Sequence, residues 1–585
     1  MNMNFSGLIR KAVPAAICLA LFSSCQKTFD IKPEDALESS QMYQNVYDAD
    51  AAVLGIYGKF LGLAKQYILL NELRGDLMDV TPKSDAYLRE LNTHNVSATN
   101  PYANPRAFYE VILNCNDALK NFDEMHSKLL LTDDQYYQRS TDIGILRCWL
   151  YLQLGIHYGN VPYVTDPMAN INDLKDQSKF PRLTFEQLLD KLVEYTSKID
   201  SKYLNQNTSS SSPSLIMASN GYIIKDGVFK FFIHRKSLLG DIYLWKNDYL
   251  KAATYYKEVM ETATNLSTTS DYQIERYDTY RITDDRTGRK TLMVSGTTNP
   301  WYGIFANALA ETEANRERMW TLPFDMNYAP SNPFIDMFAP SRSYMAKPSQ
   351  FAIENWNSQV RAANEGLTDR RGLNSSYLYE GGQPVALKYL FNYYTSALSS
   401  STLNTTGIWI LYRAATVHLR FAEAANRLNY NKLASVLIND GLLAGYNGKT
   451  NLPAPFDFDA TNTSALQANW YRSVGIRGRA LNANAAVDST RSFNMTTKTV
   501  VDQETLTQDT EDLIVNEAAL ETAFEGYRWP DLVRIALRRE KEKSGNGISF
   551  LNNKLAAKFN MGGSGTPKTF TKMSDIYLPF NWDNK

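Results

Sequence analysis

The run Phe229-Lys230-Phe231-Phe232-Ile233-His234-Arg235-Lys236-Ser237-Leu238-Leu239-Gly240-Asp241-Ile242-Tyr243-Leu244-Trp245, then Lys246-Asn247-Asp248, then Tyr249 to Ala263, decides the fold class of this chain. Apolar residues recur three and four positions apart on both sides of the polar triplet, which predicts two amphipathic helices joined by a tight turn. Leu239, Gly240 and Tyr243 lie on the first helix, and Ala252 and Tyr256 lie on the second. Small residues let the two helices approach, and the large ones fill the gaps beside them.

This hairpin resembles the tetratricopeptide pattern. A weaker copy spans Trp409 to Gly445, with Phe421, Ala422, Ala434 and Ile438 in the matching places. Upstream the helical period continues. Asp48 to Gly62 carries Ala52, Ile56 and Phe60 on one face, and Pro105 to Glu124 carries Phe108, Ile112, Cys115 and Leu119. Thr141 to Tyr158 is a third periodic segment, ended by Gly159, Asn160 and Pro162. Between about 266 and 405 the period is lost and aromatic residues crowd between Pro, Asn, Ser and Gly. Long irregular insertions on a regular scaffold are commonly functional, and this aromatic density argues against disorder. Ser209–Ser212 and Ser399–Ser401 read as exposed loop tips, Asn451 to Gln508 as another long loop, and Thr510 to Glu525 as a final helix. The fold class is mainly α.

Sixty-one basic residues against 62 acidic ones leave no positive excess for a phosphate backbone, so nucleic acid is not an expected partner. The 36 Tyr, 26 Phe and 9 Trp exceed what attracts notice, but helix packing takes up most of them. Arg10 and Lys11 followed by the apolar stretch Ala12 to Phe22 form an export signal too short to span a bilayer. Ser23 and Ser24 before Cys25 match a bacterial lipobox, with Phe22 where Leu is more usual. Cys25 is therefore the expected site of acylation, and each buried methylene of the acyl chains would contribute about 0.8 kcal/mol to anchoring. Cys115 and Cys148 have neither CxxC nor zinc spacing; one disulfide across a hairpin and two buried thiols are both open.

Four segments in order resemble the RagB/SusD-type nutrient-binding lipoproteins. Arg147-Cys148-Trp149-Leu150-Tyr151 runs into Tyr158-Gly159-Asn160-Val161-Pro162-Tyr163-Val164-Thr165. Arg413 precedes Ala422-Glu423-Ala424 and Asn426. Glu517 and Glu521 lead into Phe524-Glu525-Gly526-Tyr527-Arg528-Trp529-Pro530-Asp531-Leu532-Val533-Arg534, and Tyr577-Leu578-Pro579 closes the chain. Ala518 stands where the family usually has Arg, and Pro530 where an aromatic is common. The resemblance implies a SusD-like fold, with helical scaffold at about 40–265 and 408–445, an irregular ligand side at about 266–405 and a C-terminal region 446–585, all one domain after a signal peptide at 1–24. These motifs have a structural explanation of their own: Gly526 lets the chain leave a helix, Glu525 and Arg528 can pair, and Trp529 buries a large surface.

Catalytic signatures are missing. His94, His126, His157, His234 and His418 form no HExxH, and there is no GxSxG, P-loop or GxGxxG after a strand. The chain is therefore read as a binding protein, not an enzyme, with no cofactor and no metal. Sugars offer C–H faces to aromatic rings and hydroxyl edges to carboxylates, amides and guanidinium groups. Two regions hold that mixture: Asp76 and Asp79 with Tyr87, Arg89 and Asn100, and the irregular block with Trp301, Tyr302, Trp320 and Tyr328, followed by Arg371. The resemblance implies an outer-membrane, outward-facing glycan-binding lipoprotein that hands its cargo to a SusC-like TonB-dependent transporter. A peptide-binding member of the same family, or a scaffold without a small ligand, are the alternatives.

Overall fold

The computed structural model describes residues 42–582 except 169–175, 177, 205–230, 261–281, 284–289, 292–303, 306–316, 361–368, 395–404, 440, 448, 460–474, 481–482, 486–492, 495–498 and 501. Helix α1 (Val46–Leu61) starts at a capping box in which Asn45 and Asp48 bond each other's backbone N–H. A short helix α2 (Ala64–Ile68) widens into a π turn at Leu69–Leu73, and strand β1 (Met78–Val80) and helix α3 (Ala86–Thr93) follow. Helices α4 (Arg106–Ser127) and α5 (Asp133–Tyr158) pack as a long hairpin; α5 begins at a Thr132/Gln135 capping box and ends at Gly159. Gly159 has φ +69°, and a Cβ there would lie 2.9 Å from the Tyr577 ring, so both backbone and packing require glycine. Helices α6 (Phe185–Thr196) and α7 (Ser201–Leu204) then pack on α5.

The hairpin that decides the fold class forms as expected: α8 (Arg235–Trp245) and α9 (Tyr249–Met260) are joined at Lys246–Asp248. A Cβ on Gly240 would approach the Tyr256 ring to 2.3 Å, the close contact anticipated for that small residue. Strand β2 (Arg318–Phe324), strand β3 (Ala346–Pro348), which pairs with β1, and the hairpin β4 (Tyr377–Glu380) and β5 (Gln383–Ala386) come next. Strand β6 (Gly407–Arg413) pairs antiparallel with β2, in register Trp409↔Leu322 and Tyr412↔Trp320. The second hairpin therefore does not start at Trp409. It consists of α10 (Ala414–Arg427) and α11 (Asn431–Ile438), because a fully buried extended run at 407–413 pairs with a strand and only then turns helical. Helix α9 packs on α10, so the two repeat-like hairpins stack although about 150 residues separate them. Helices α12 (Gln503–Glu521), α13 (Arg528–Glu542) and α14 (Asn546–Asn560) complete the scaffold; α12 starts earlier than the sequence suggested, at the Asp502 cap.

The main apolar core runs from Ala49 to Trp582, and a smaller cluster gathers Ile304, Phe305, Leu387, Phe391, Ile408 and Ile410. Cys115 and Cys148 are both free and buried, which removes the disulfide alternative. The C-terminal motif is a buried ionic lattice. Arg413 binds Glu317 (2.6 Å), Glu521 (2.8 Å) and Glu525 (2.7 Å), and Lys388 binds Glu525 at 2.6 Å. Glu525 and Arg528 do not pair, contrary to expectation, because Arg528 reaches back to Asp76. Glu72, on the π turn, accepts the backbone N–H groups of Phe524 (3.1 Å), Gly526 (2.6 Å) and Tyr527 (3.0 Å) where the chain turns into α13. Gly526 makes that turn at φ +90°.

Candidate functional site

The structure separates the sequence-predicted site residues into interior and surface groups. Asp76 is buried, and both its oxygens accept from Arg528, at 2.6 Å each. Asp79 is buried and takes hydrogen bonds from Asn92 (3.0 Å) and from the backbone N–H (3.1 Å) and hydroxyl (3.0 Å) of Ser564. Asn100 is buried as a local cap: its oxygen accepts from Tyr102 N–H, and its amide donates to the Tyr87 carbonyl (2.9 Å) and to Glu90 (3.0 Å). Trp320 is buried flat on Phe60, with ring centroids 5.5 Å apart, and its indole N–H donates to the Phe231 carbonyl. Arg371 is buried between Asp369, Glu517 and Glu521. These five are corrections to the expected ligand set. Each has its polar or aromatic capacity used inside the protein, and none offers a face to a ligand.

Tyr87 (39% exposed) and Tyr328 (75%) remain at the surface, as does Arg89, whose Nη2 donates to the Thr81 carbonyl at 3.0 Å. The Thr81–Ser84 turn ahead of α3 is stitched to the loop before β3: Lys83 donates to the Pro340 carbonyl (2.7 Å) and Ser84 to the Met345 carbonyl (2.7 Å). Among the described residues no hydrogen bond or ring contact joins Tyr328 to Tyr87 or Arg89. Trp301 and Tyr302 lie outside the described residues.

An open cleft lies elsewhere. Helices α4, α5, α6 and α7 and the extended segment 163–167 surround an open cleft of about 1080 Å³, above the roughly 300–1,000 Å³ typical of small-ligand sites. Five rings line it: Tyr136, Tyr137, Tyr163, Tyr195 and Tyr203. Tyr137 is 41% exposed, stacks on Tyr203 with centroids 5.0 Å apart and meets Tyr136 at 4.9 Å. Two hydroxyls are fixed by carboxylates, Tyr136 to Asp123 at 2.5 Å and Tyr203 to Asp134 at 2.7 Å. The Tyr195 hydroxyl seats over Gly144, where a Cβ would come within 1.8 Å of it. Burial pushes that hydroxyl up to about 12, with Arg147 opposing the shift, so it stays a neutral donor at ordinary pH. Glu194 accepts from Lys191 (2.9 Å) and Lys198 (3.0 Å), and these bonds hold its carboxyl down at about 2. Rings with fixed tilts beside hydroxyl, amide and charged groups can hold C–H faces and polar edges at once.

Sequence reasoning missed this cleft because its tyrosines sit at 136, 137, 163, 195 and 203 on separate segments. The one available signal was the adjacent pair Tyr136-Tyr137 in the polar first turns of an otherwise apolar helix. Among the described residues no group of three or more His, Cys, Asp or Glu could hold a metal ion.

No family model matches the chain, and no curated protein matches it. Solved structures do. A SusD superfamily protein from Bacteroides thetaiotaomicron is 18% identical, with a TM-score of 0.57 over 88% of this chain and 95% of the other. The surface glycan-binding protein A of Bacteroides uniformis is 16% identical, with a TM-score of 0.52 over 91% and 95%. NanU of B. fragilis is 14% identical, with a TM-score of 0.52 over 90% and 94%. With stacked helical hairpins, a C-terminal motif locked in the interior and overlaps that span nearly the whole of these proteins, the chain has the fold of the SusD superfamily.

Proposed function

We propose that this chain is a cell-surface glycan-binding lipoprotein, and that the tyrosine cleft is where the glycan sits. The observation that carries the reading is the cleft itself: five tyrosine rings and an amide, carboxylates and lysines around an open volume of about 1080 Å³, within a fold shared with a surface glycan-binding protein. Rings take sugar faces reversibly and polar side chains replace the water on sugar hydroxyls, so this arrangement supports reversible capture. Tyr87, Arg89 and Tyr328 keep exposed faces that could also meet a glycan. Acylated Cys25 anchors the protein on the outside of the outer membrane, and a SusC-like TonB-dependent transporter receives the cargo.

Titration of the mature chain against plant, host and microbial glycans should give saturable binding. Tyr137→Ala should weaken it about 3- to 10-fold, the range of one stacking contact, with an unchanged melting temperature. Saturable binding that is insensitive to Tyr137→Ala and lost on Tyr87→Ala/Tyr328→Ala would move the site to those residues. A mature chain that binds no glycan contradicts the reading. Cys25→Ala should release the protein from membranes, and a tagged wild-type chain should bring down a TonB-dependent barrel.

A further inference from the structure

We propose that the cleft selects a sugar bearing a carboxylate, and that the guanidinium of Arg147 on α5 recognises it; this rests on the cleft being the glycan site. Arg147 lines the cleft and is only 5% exposed, so its charge is largely withdrawn from water. Its Nη1 donates to the Asn116 side-chain oxygen at 2.7 Å and, at 3.4 Å, to the Thr165 carbonyl. Its plane lies over the Tyr195 ring at 4.9 Å. Among the described residues no carboxylate comes within ion-pair distance, and Nε and Nη2 have no acceptor.

Four other buried arginines supply the contrast. Arg371, Arg413 and Arg528 are equally buried, and each is matched by carboxylates. At Arg528 the same Nε–Nη2 edge grips both oxygens of Asp76, at 2.6 Å each. Arg74 also lacks a carboxylate, but it stacks on Trp529, bonds His157 and the Ile576 carbonyl, and is not part of this cleft's lining. Arg147 alone among these puts an unmatched guanidinium on an open cleft. A guanidinium keeps its proton at any working pH, so a buried one calls for an anion, and its two-donor edge matches the spacing of carboxylate oxygens. The acidic groups of the lining do not cancel it. Asp123 is taken by Tyr136 and Glu194 by two lysines, while Asp166 and Asp200 are exposed and screened by water.

The experiment is an array of matched oligosaccharides on the mature full chain: each uronate-containing glycan beside its methyl ester, with sulfated neutral glycans as a third set. The acid should bind at least tenfold tighter than its ester, and added salt should narrow the gap. Arg147→Gln should abolish the preference, bringing the acid-to-ester affinity ratio to about one. Asn116→Asp sets a carboxylate against Nη1, at the cost of the amide's bonds to the Val164 and Asp166 carbonyls, and should abolish it too. Melting temperatures show whether either variant folds; if neither does, the acid-to-ester ratio on the unaltered chain decides. Equal binding of acid and ester overturns the proposal and leaves glycan binding standing, as does a preference that survives in folded Arg147→Gln. Tighter binding of sulfated than of uronate glycans overturns the carboxylate assignment. Binding of no glycan overturns the reading of the cleft itself.

Discussion

Trp320 and Asp76 show why residue type alone misleads. Both are chemically suited to sugars, and both are interior parts: Trp320 lies against Phe60, and Asp76 is the counter-ion of Arg528. Trp320→Ala should therefore destabilise the protein by about 3–5 kcal/mol, the range for emptying a tryptophan-sized site, read as a lower urea midpoint at an unchanged slope. Asp76→Ala should cost about 3–5 kcal/mol as well, because it strands the Arg528 charge in the interior. Asp76→Ala with a wild-type urea midpoint would contradict the buried pairing. A sequence displays which groups could bond a ligand but not which are already bonded, and a carboxylate at 76 meets its partner at 528 only through the tertiary fold. The same holds for Arg371, whose partners lie near positions 517 and 521.

At the scale of elements, local patterns were legible where one face of a helix meets the core. The hairpin α8–α9 forms where small and large residues alternate, and substitution tests that packing directly. Gly240→Val should cost about 1–3 kcal/mol through overpacking against Tyr256, a lower melting temperature without loss of glycan affinity, since the cleft lies on other helices. Thr132→Ala, which removes one half of the box that starts α5, should cost about 1 kcal/mol. The strands were not legible. β6 is buried at every residue and β2 at most, so neither shows the alternation that marks a half-exposed strand. Without it, Trp409 looks like part of the helix that follows.

At the scale of the whole molecule, three buried histidines make stability depend on pH. Burial holds His94 and His157 well below the ordinary imidazole range and brings His234 down to about 3. In the unfolded chain each takes a proton near pH 6.5, so between that pH and the folded values the unfolded state binds more protons. The contribution of these histidines is then complete above about pH 6.5 and falls as the pH drops, by about 1.4 kcal/mol per pH unit for each. The urea midpoint should therefore be lower at pH 5 than at pH 7, and the difference between the two should shrink in His234→Gln, whatever that variant loses through the Ser237 cap. Equal midpoints at the two pH values would contradict neutral burial of all three. By itself the sequence determined the mainly helical class, the paired hairpins and the SusD-like order of motifs, because periodicity and turn chemistry act over neighbouring residues. Only the tertiary structure decided which aromatic and charged groups are spent in the interior and which face an opening. That outcome depends on partners tens to hundreds of residues away: the tyrosines of the cleft come together from three helices and an extended segment, and Asp76, an acid expected at a ligand, meets Arg528 instead.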